Sequence, residues 1–367
     1  MNLIAEYVSP GHPDRLCDAI VENCVSLAAA RDCQASIGLE CTVNLGHVYL
    51  DGRIAGGRGK PVVTHDELDE TVRRTYANAG YNALWRPDPQ DLHTYLDVCI
   101  EKLSDDERDI RQYSDDQNVV CGYACNSPET NYLPVAHFIA NRIGVNLWKW
   151  RNENASGFLG PDFKILVHLV NQHGQIRWER LTLSWQHTPE ADYQKLFFLL
   201  KKRVDAILAE YSAGNLQSLS KLDEKRLYLN GAGDFIQGGP EGDNGLSGKK
   251  LVVDFYGPDV PIGGGAICGK DSHKVDVCGA FRARELALRL VKERGCESVQ
   301  TRLAWSPGES EPYLYEAFEV GSFGTRRKID TNALPSRNWF SIECINNDMN
   351  LAAFDRSAVM LNGYMNW

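Results

Sequence analysis

The chain has 367 residues, a net charge of −10 and 43% hydrophobic residues, which suggests two or three globular domains and excludes a largely disordered protein. The acidic balance argues against general nucleic-acid binding, and no apolar run approaches the roughly 18 residues of a membrane span. With no secretory signal and no CxxC pair among eleven cysteines, we expect reduced thiols in a cytoplasmic protein.

The predicted elements repeat one order three times: helix, two-stranded hairpin, helix. In the first unit, helices are predicted over residues 13–30 and 64–79, the latter opened by a Thr64 capping box, and strands over 36–44, 48–55 and 94–100. The second unit has a helix over 133–143 that stops at Gly144, strands over 164–171, 175–185 and 226–230, and a helix from Pro189 to about residue 211.

The third unit has a helix over 274–294 that ends at Gly295, strands over 300–306 and 313–320, and a helix near 337–344. Three such units indicate an α+β protein built from similar β/α modules. We place these modules at residues 1–110, 114–227 and 228–367. Ordinary α/β alternation without an internal repeat is the alternative.

Twelve of the 32 glycines fall between residues 231 and 269, in two loops that end in lysine. We call residues 238–250 the first loop and residues 263–271 the second loop. Glycine lets backbone N–H groups approach an anion, and lysine adds positive charge. The second loop matches GxxxxGK, but Asp271 stands where a P-loop needs Ser or Thr, so a standard P-loop NTPase is not expected. Glycine-rich turns with solvated lysines are the alternative.

A second concentration of polar residues lies at the start of the first helix, where Gly11-His12-Pro13-Asp14 occurs. A helix N-terminus favours phosphate, a carboxylate there can hold Mg²⁺, and an imidazole can stabilise a leaving oxygen. The alternative is a His-Pro turn in which Asp14 only stabilises the helix dipole. Asp276 occupies a similar place at the start of the third unit's helix, after Lys270 and Lys274.

These blocks together resemble the S-adenosylmethionine synthetase (methionine adenosyltransferase) family over nearly the whole chain. The segments that carry the resemblance are Gly11 to Asp14, Leu39-Glu40-Cys41-Thr42, Asp116-Gln117 before Gly122-Tyr123-Ala124, Gly160 to Lys164, Gln186-His187, the first loop, and residues 263–276. The resemblance implies three modules with pseudo-threefold arrangement. It also implies homodimers or dimers of dimers with active sites between subunits, and no nucleic-acid or membrane partner.

The reaction implied by the resemblance joins ATP and methionine. The thioether sulfur attacks C5′ of ATP, and the triphosphate leaves and is hydrolysed to phosphate and diphosphate. Carried over by position, the catalytic residues are His12, Lys164, Lys250 and Lys270. The ATP and phosphate contacts are Asp162, Phe235, Asp243, Lys249, Lys250 and Lys270. The methionine pocket holds Arg53, Leu103, Asp116 and Lys274. Two Mg²⁺ ions are expected, with Asp14 and Asp276 as ligands, and K⁺ with Glu40.

The departures from the family's motifs concentrate around the amino acid. Arg53 replaces a glutamate that meets the methionine amine, Leu103 replaces a glutamine, and Lys249 replaces an arginine in the phosphate region. The gating loop between residues 109 and 116 is also shorter. We expect one of three roles for Arg53. It turns the bound amino acid around in the pocket, it selects a thioether without a free amine, or it points away to a carboxylate such as Asp51. The alternatives are therefore another thioether substrate, a (tri)phosphatase, or a non-catalytic nucleotide-binding paralogue.

Overall fold

The computed structural model describes residues 1–211, 214–321, 324–356 and 361–365. Its strands are β1 (Asn2–Val8), β2 (Ser36–Asn44), β3 (His47–Ala55), β4 (His93–Glu101), β5 (Asn118–Cys125), β6 (Leu159–Gln172), β7 (Gln175–His187), β8 (Leu227–Leu229), β9 (Gly245–Leu246), β10 (Ser298–Trp305), β11 (Leu314–Val320) and β12 (Arg326–Lys328). Its α-helices are α1 (Pro13–Ala29), α2 (His65–Asn78), α3 (Asp105–Asp109), α4 (Val135–Asn154), α5 (Tyr193–Ala209), α6 (Leu251–Asp254), α7 (Val275–Arg294) and α8 (Ile342–Met349). No helix in the described ranges is long and apolar enough to cross a membrane.

The strands form three four-stranded sheets, with the orders β4-β3-β2-β9, β1-β6-β7-β8 and β12-β11-β10-β5. Each sheet contains a hairpin from one third of the chain and a strand from another third. Strand β1 pairs with β6, β5 pairs with β10, and β9 pairs with β2. Each unit therefore lends its first strand to the sheet of another unit in a cyclic pattern. The predicted α+β fold of three similar modules with pseudo-threefold arrangement is confirmed.

One face of each sheet carries helices, and in the first sheet the opposite face is open. Along β2, buried residues alternate with exposed ones, as expected when one face packs against α1 and the other meets solvent. On the open face, the rings of Tyr49 and Tyr95 stack with centroids 4.6 Å apart, although each side chain is nearly half exposed. The first sheet thus presents an aromatic surface outward.

The prediction that Gly144 ends a helix is wrong. Helix α4 continues through this residue from Val135 to Asn154. A Cβ atom at position 144 would lie 2.1 Å from Cδ1 of Tyr7, so the glycine lets the helix approach β1 closely. The glycine is required by helix–sheet packing, and a glycine within a helix costs only about 1 kcal/mol relative to alanine.

Other boundaries also differ from the predictions. Helix α5 begins after Asp192, whose side chain accepts the Lys195 N–H, and Pro189 lies outside it. The predicted helix over 337–344 is a short 3₁₀ turn followed by α8, which Ser341 caps. Strands β1 and β5 were not predicted, because their partners lie far along the chain. The Thr64 capping box and the end of α7 at Gly295 are confirmed.

Candidate active site

His12 lies at the start of α1 in a defined hydrogen-bonding state. Its Nδ1 accepts the backbone N–H of Asp14 at 3.2 Å, and its side chain is buried. Burial lowers the pKa of His12 well below its usual range, and the charge of Lys164 adds to this shift. A neutral imidazole whose Nδ1 accepts must carry its proton on Nε2. That Nε2 is buried and has no hydrogen-bond partner among the described residues, so His12 offers an unused donor.

Asp14, in the first turn of α1, connects the start of this helix to the first loop. Its Oδ1 accepts the Leu246 N–H at 3.0 Å, and its Oδ2 lies 2.9 Å from Nζ of Lys250. Nζ of Lys249 lies 3.6 Å from Oδ1. Burial raises the pKa of Asp14, but the hydrogen bonds from Lys250 and Leu246 outweigh it and lower the pKa overall. The carboxylate is therefore charged and is shared by two lysines.

Asp162 and Lys164 lie on β6 near the start of α1. We define the helix-start group as these two residues together with His12, Asp14, Lys249 and Lys250. Asp162 Oδ2 accepts the Gly239 N–H at 2.8 Å, whereas its buried Oδ1 has no partner in the described part of the chain. Burial raises the pKa of Asp162 to about 6, although the Gly239 hydrogen bond opposes the shift. The exposed Lys164 places its positive charge near both His12 and Asp162.

Phe235 lies just before the first loop and Asp243 lies within it, near this group. Phe235 is half-buried, and its backbone exchanges hydrogen bonds with His187 at 2.8 and 3.2 Å. Its ring lies over Gly238, where an added Cβ would come within 3.0 Å of Phe235 Cε2. Asp243 is exposed, and its side chain accepts the N–H of Asn244. A half-buried aromatic ring and an exposed carboxylate therefore lie at the first loop.

A second cluster, the second-loop group, consists of Lys270, Asp276 and Asp116. Nζ of Lys270 lies 2.9 Å from Oδ1 of Asp276 at the start of α7. The backbone of Gly265 lies directly against this carboxylate, because a Cβ there would be 1.6 Å from the same oxygen. Asp116, Lys270 and Asp276 line one cavity of about 420 Å³. No ion pair among the described residues joins this group to the helix-start group.

A neighbouring cavity of about 530 Å³ contains Arg53 and Leu103. Arg53 is paired with Glu101 at 3.0 Å and with Glu107 at 2.7 Å, so it turns toward carboxylates, but Asp51 is not the partner. Leu103 is buried.

Lys274 does not meet Asp116. It forms an ion pair with Asp115, which lines the same cavity as Arg53. The two adjacent aspartates therefore face different cavities.

The short loop before β5 is fixed by arginines that sequence reasoning did not single out. Arg108 binds Asp32 at 2.5 Å, and Arg111 forms a buried ion pair with Asp271 of the second loop. Burial raises the pKa of Asp271, but the charge of Arg111 and the hydrogen bond from His273 lower it well below its usual range. No local sequence feature indicates this pairing, because Asp271 lies 160 residues further along the chain.

The proposed metal ligands are carboxylates in polar surroundings. Asp14 and Asp276 are each paired with a lysine, and Glu40 is exposed on β2 in register with Asp51. The described residues contain no group of three or more His, Cys, Asp or Glu side chains that could hold a metal ion. Mg²⁺ commonly takes one or two protein carboxylates and completes its shell with phosphate oxygens and water, so single carboxylates beside phosphate-binding loops fit this ion.

Comparison with known proteins gives matches along most of the chain. Models of the N-terminal, central and C-terminal domains of S-adenosylmethionine synthetase match residues 1–97, 111–235 and 237–365. The chain is 33% identical to S-adenosylmethionine synthase of Zymomonas mobilis over 84% of its own length and 78% of that protein. It is 30% identical to the protein of the same name from Prochlorococcus marinus strain MIT 9215, over 86% and 80% of the two chains. The corresponding protein of Wolinella succinogenes is also 30% identical, over 84% and 78%.

Proposed function

The chain belongs to the S-adenosylmethionine synthetase family, and from this membership we propose that it converts ATP, methionine and water to S-adenosylmethionine, phosphate and diphosphate. The methionine sulfur forms a bond to C5′ of ATP while the bond from C5′ to the triphosphate oxygen breaks. The triphosphate is then hydrolysed to phosphate and diphosphate. A neutral thioether attacking a saturated carbon gains little from acid–base chemistry, so stabilisation of the leaving group and positioning carry the rate.

The observation that carries the proposal is the Nε2–H of His12, which has no partner in the described part of the chain and lies beside the lysines of the helix-start group. A buried donor without a partner is costly, and a developing negative charge on the departing oxygen is the partner that would satisfy it. Because the imidazole is neutral, it donates its hydrogen bond to the departing oxygen, while the charged Lys164 and Lys250 bind the phosphates. Lys270 of the second loop supplies a further positive charge.

The nucleoside and phosphate contacts follow the same logic. Phe235, whose side chain is half-buried, stacks on adenine, and Asp162 and Asp243 accept hydrogen bonds from the nucleoside. Lys249, Lys250, Lys270 and Lys164 surround the phosphate oxygens. Asp162 supports this role because its Oδ1 is buried and has no partner in the described residues.

We propose Asp14 and Asp276 as ligands of Mg²⁺, whose charge offsets that of the phosphate oxygens. Both carboxylates lie beside lysines of the proposed phosphate site, which supports the assignment. For K⁺ we propose Glu40. It stands directly opposite Asp51, and facing carboxylates on one sheet surface repel each other unless a cation lies nearby.

We propose a homodimer, alone or as a pair of dimers, in which the helix-start group of one subunit meets the second-loop group of the other. The lack of an ion pair between the two groups among the described residues, and the exposed aromatic face of the first sheet, support this. The test mixes His12→Ala and Lys270→Ala proteins after subunit exchange. Activity that returns on mixing supports shared sites. If the mixture stays inactive although the two variants, carrying different affinity tags, are purified together as mixed dimers, each subunit holds a complete site.

A cytoplasmic location is also proposed. All eleven cysteines are free thiols in the structure, and only Cys33 and Cys99 are exposed, which suits a reducing compartment.

The amino-acid pocket supports a second candidate substrate. Arg53, Leu103, Asp116 and Lys274 are proposed to line it, and an arginine attracts carboxylate where a glutamate would attract an amine. The deciding experiment is mass spectrometry of products after incubation with ATP, Mg²⁺, K⁺ and a panel of thioethers that begins with methionine. S-adenosylmethionine as the main product supports the proposal. A different sulfonium favours another thioether, phosphate alone favours a triphosphatase, and bound nucleotide without products favours a non-catalytic paralogue.

A further inference from the structure

One face of α1 carries three buried carboxylates spaced four residues apart, at Asp14, Asp18 and Glu22. This spacing stacks side chains along one side of a helix. Each carboxylate is at most 2% exposed, and each accepts a backbone N–H from one of the two glycine-rich loops. Asp14 accepts from Leu246 at 3.0 Å, Asp18 accepts from Gly248 at 2.8 Å, and Glu22 accepts from Gly269 at 2.9 Å.

The second and third of these hydrogen bonds hold glycines that directly precede lysines. Gly248 comes before Lys249 and Lys250, and Gly269 comes before Lys270. Both glycines have positive φ, 73° and 78°, a conformation that other residues rarely adopt. A Cβ at Gly269 would lie 2.2 Å from the carbonyl oxygen of Leu39, so this loop is pressed against β2. The direction in which each loop leaves its glycine is therefore fixed at the point where the lysines begin.

Buried arginines complete the row. Arg15 lies 3.2 Å from Asp18 and 2.5 Å from Asp254, and Arg356 lies 2.8 Å from Glu22. Buried ion pairs add little net stability compared with apolar residues of the same shape, because removing both charges from water is costly. What they do provide here is a defined acceptor oxygen for each loop. An apolar helix face would offer no acceptor oxygen, so it could not fix the backbone of the loops where the lysines begin.

We propose that Asp18 and Glu22 are positioning residues for triphosphate binding: Asp18 orients Lys249 and Lys250 through Gly248, and Glu22 orients Lys270 through Gly269. Neither carboxylate touches the phosphates itself. This inference rests on the proposed function, since it takes the two loops to be the phosphate site.

The test uses variants that differ only in the acceptor oxygen. Asp18→Asn keeps an oxygen for Gly248, whereas Asp18→Leu removes it, and in both variants Arg15 keeps Asp254. For the other loop, Glu22→Gln and Glu22→Leu are each combined with Arg356→Met, so that no buried charge is left alone. Binding of inorganic triphosphate with Mg²⁺ is measured by isothermal titration calorimetry, and thermal unfolding shows that each variant is folded.

The amide variants should bind triphosphate within about threefold of the native protein, and the leucine variants should bind about tenfold more weakly, as expected when a correctly aimed charge is lost. A merely structural role would lower the melting temperature of the leucine variants and leave triphosphate affinity unchanged. Equal affinity of the folded amide and leucine variants would overturn the proposal.

Double-mutant cycles show through which lysine each carboxylate acts. In a Lys270→Ala background, Glu22→Leu with Arg356→Met should cause no further loss of affinity, whereas in a Lys250→Ala background it should still cost about tenfold. Asp18→Leu should cause no further loss in a background that lacks both Lys249 and Lys250, and it should still cost about tenfold in the Lys270→Ala background. Additive losses in all four combinations would show that the carboxylates stabilise the protein generally. If the native protein does not bind triphosphate at all, the proposed function fails before these cycles begin, so the two failures are distinguishable.

Discussion

Asp162→Asn should stabilise the protein increasingly as pH rises. Burial raises the pKa of Asp162 from the ordinary 3.8 to about 6. Below about pH 4 the group is protonated in folded and unfolded chains alike, and its stabilising contribution is fully present. As pH rises through about 6, the unfolded chain has already released its proton while the folded chain resists, so stability falls. The shift of about two pKa units corresponds to a loss of about 3 kcal/mol at neutral pH, which asparagine avoids.

The assay is urea unfolding of both proteins at about pH 5 and pH 8, followed by tryptophan fluorescence. Trp185 is a suitable reporter because it packs against Phe163, the neighbour of Asp162, with ring centroids 4.3 Å apart. Asparagine keeps an acceptor for the Gly239 N–H, so only the charge is removed. Asp243→Asn, at an exposed carboxylate of the same proposed nucleoside site, is the control and should show no pH-dependent gain. If Asp162→Asn gains no more at pH 8 than at pH 5, the carboxyl is not held in the environment described.

Removing the Nε2 donor with His12→Ala should lower kcat by roughly 10²–10³ and leave the ATP dissociation constant nearly unchanged; turnover close to native would remove His12 from the mechanism. Asp276→Asn should raise the Mg²⁺ concentration needed for half-maximal activity, and an unchanged Mg²⁺ titration would contradict the ligand assignment. Arg111→Leu should cost about 3–5 kcal/mol in urea unfolding because it leaves Asp271 buried without its arginine; a smaller loss would mean that solvent reaches this carboxylate. Arg53→Met should change stability by at most about 1 kcal/mol, since its ion pairs are partly exposed, while shifting KM for methionine more than KM for ATP. Equal shifts in both KM values would place Arg53 outside the amino-acid pocket.

The sequence predicted those parts of the molecule that depend on local chemistry. The Thr64 capping box, the glycine end of α7 and the start of α1 at His12-Pro13 follow from rules that act within one turn of helix. The polar residues around Asp14 and the glycine-rich loops that end in lysine could be recognised for the same reason. Their residue types and spacing alone indicate an anion site.

What the sequence did not reveal depends on partners far along the chain. Strand β1 alternates poorly, and its strand structure depends on pairing with β6, more than 150 residues later in the chain. The ion pair between Arg111 and Asp271 and the hydrogen bond between Glu22 and Gly269 have the same character. The spacing of Asp14, Asp18 and Glu22 was readable as one helix face, but polar residues on a helix face ordinarily meet water. Only the tertiary fold shows that this face is covered by the two loops.

In the proposed site, a bound ligand gives each charged side chain a new partner of opposite charge in place of its present one. Lys250 rests on Asp14 and Lys270 on Asp276, so each of these two lysines already has a carboxylate beside it. A metal-bound triphosphate brings both signs at once: its oxygens take the lysines, and its cations take the carboxylates. No group of either sign is then left buried alone, which is the costly outcome for a desolvated charge. A metal-free polyphosphate would take the lysines and leave Asp14 and Asp276 without these partners of opposite charge. The pairing itself therefore favours the metal complex over the free anion, independently of any single ligand distance.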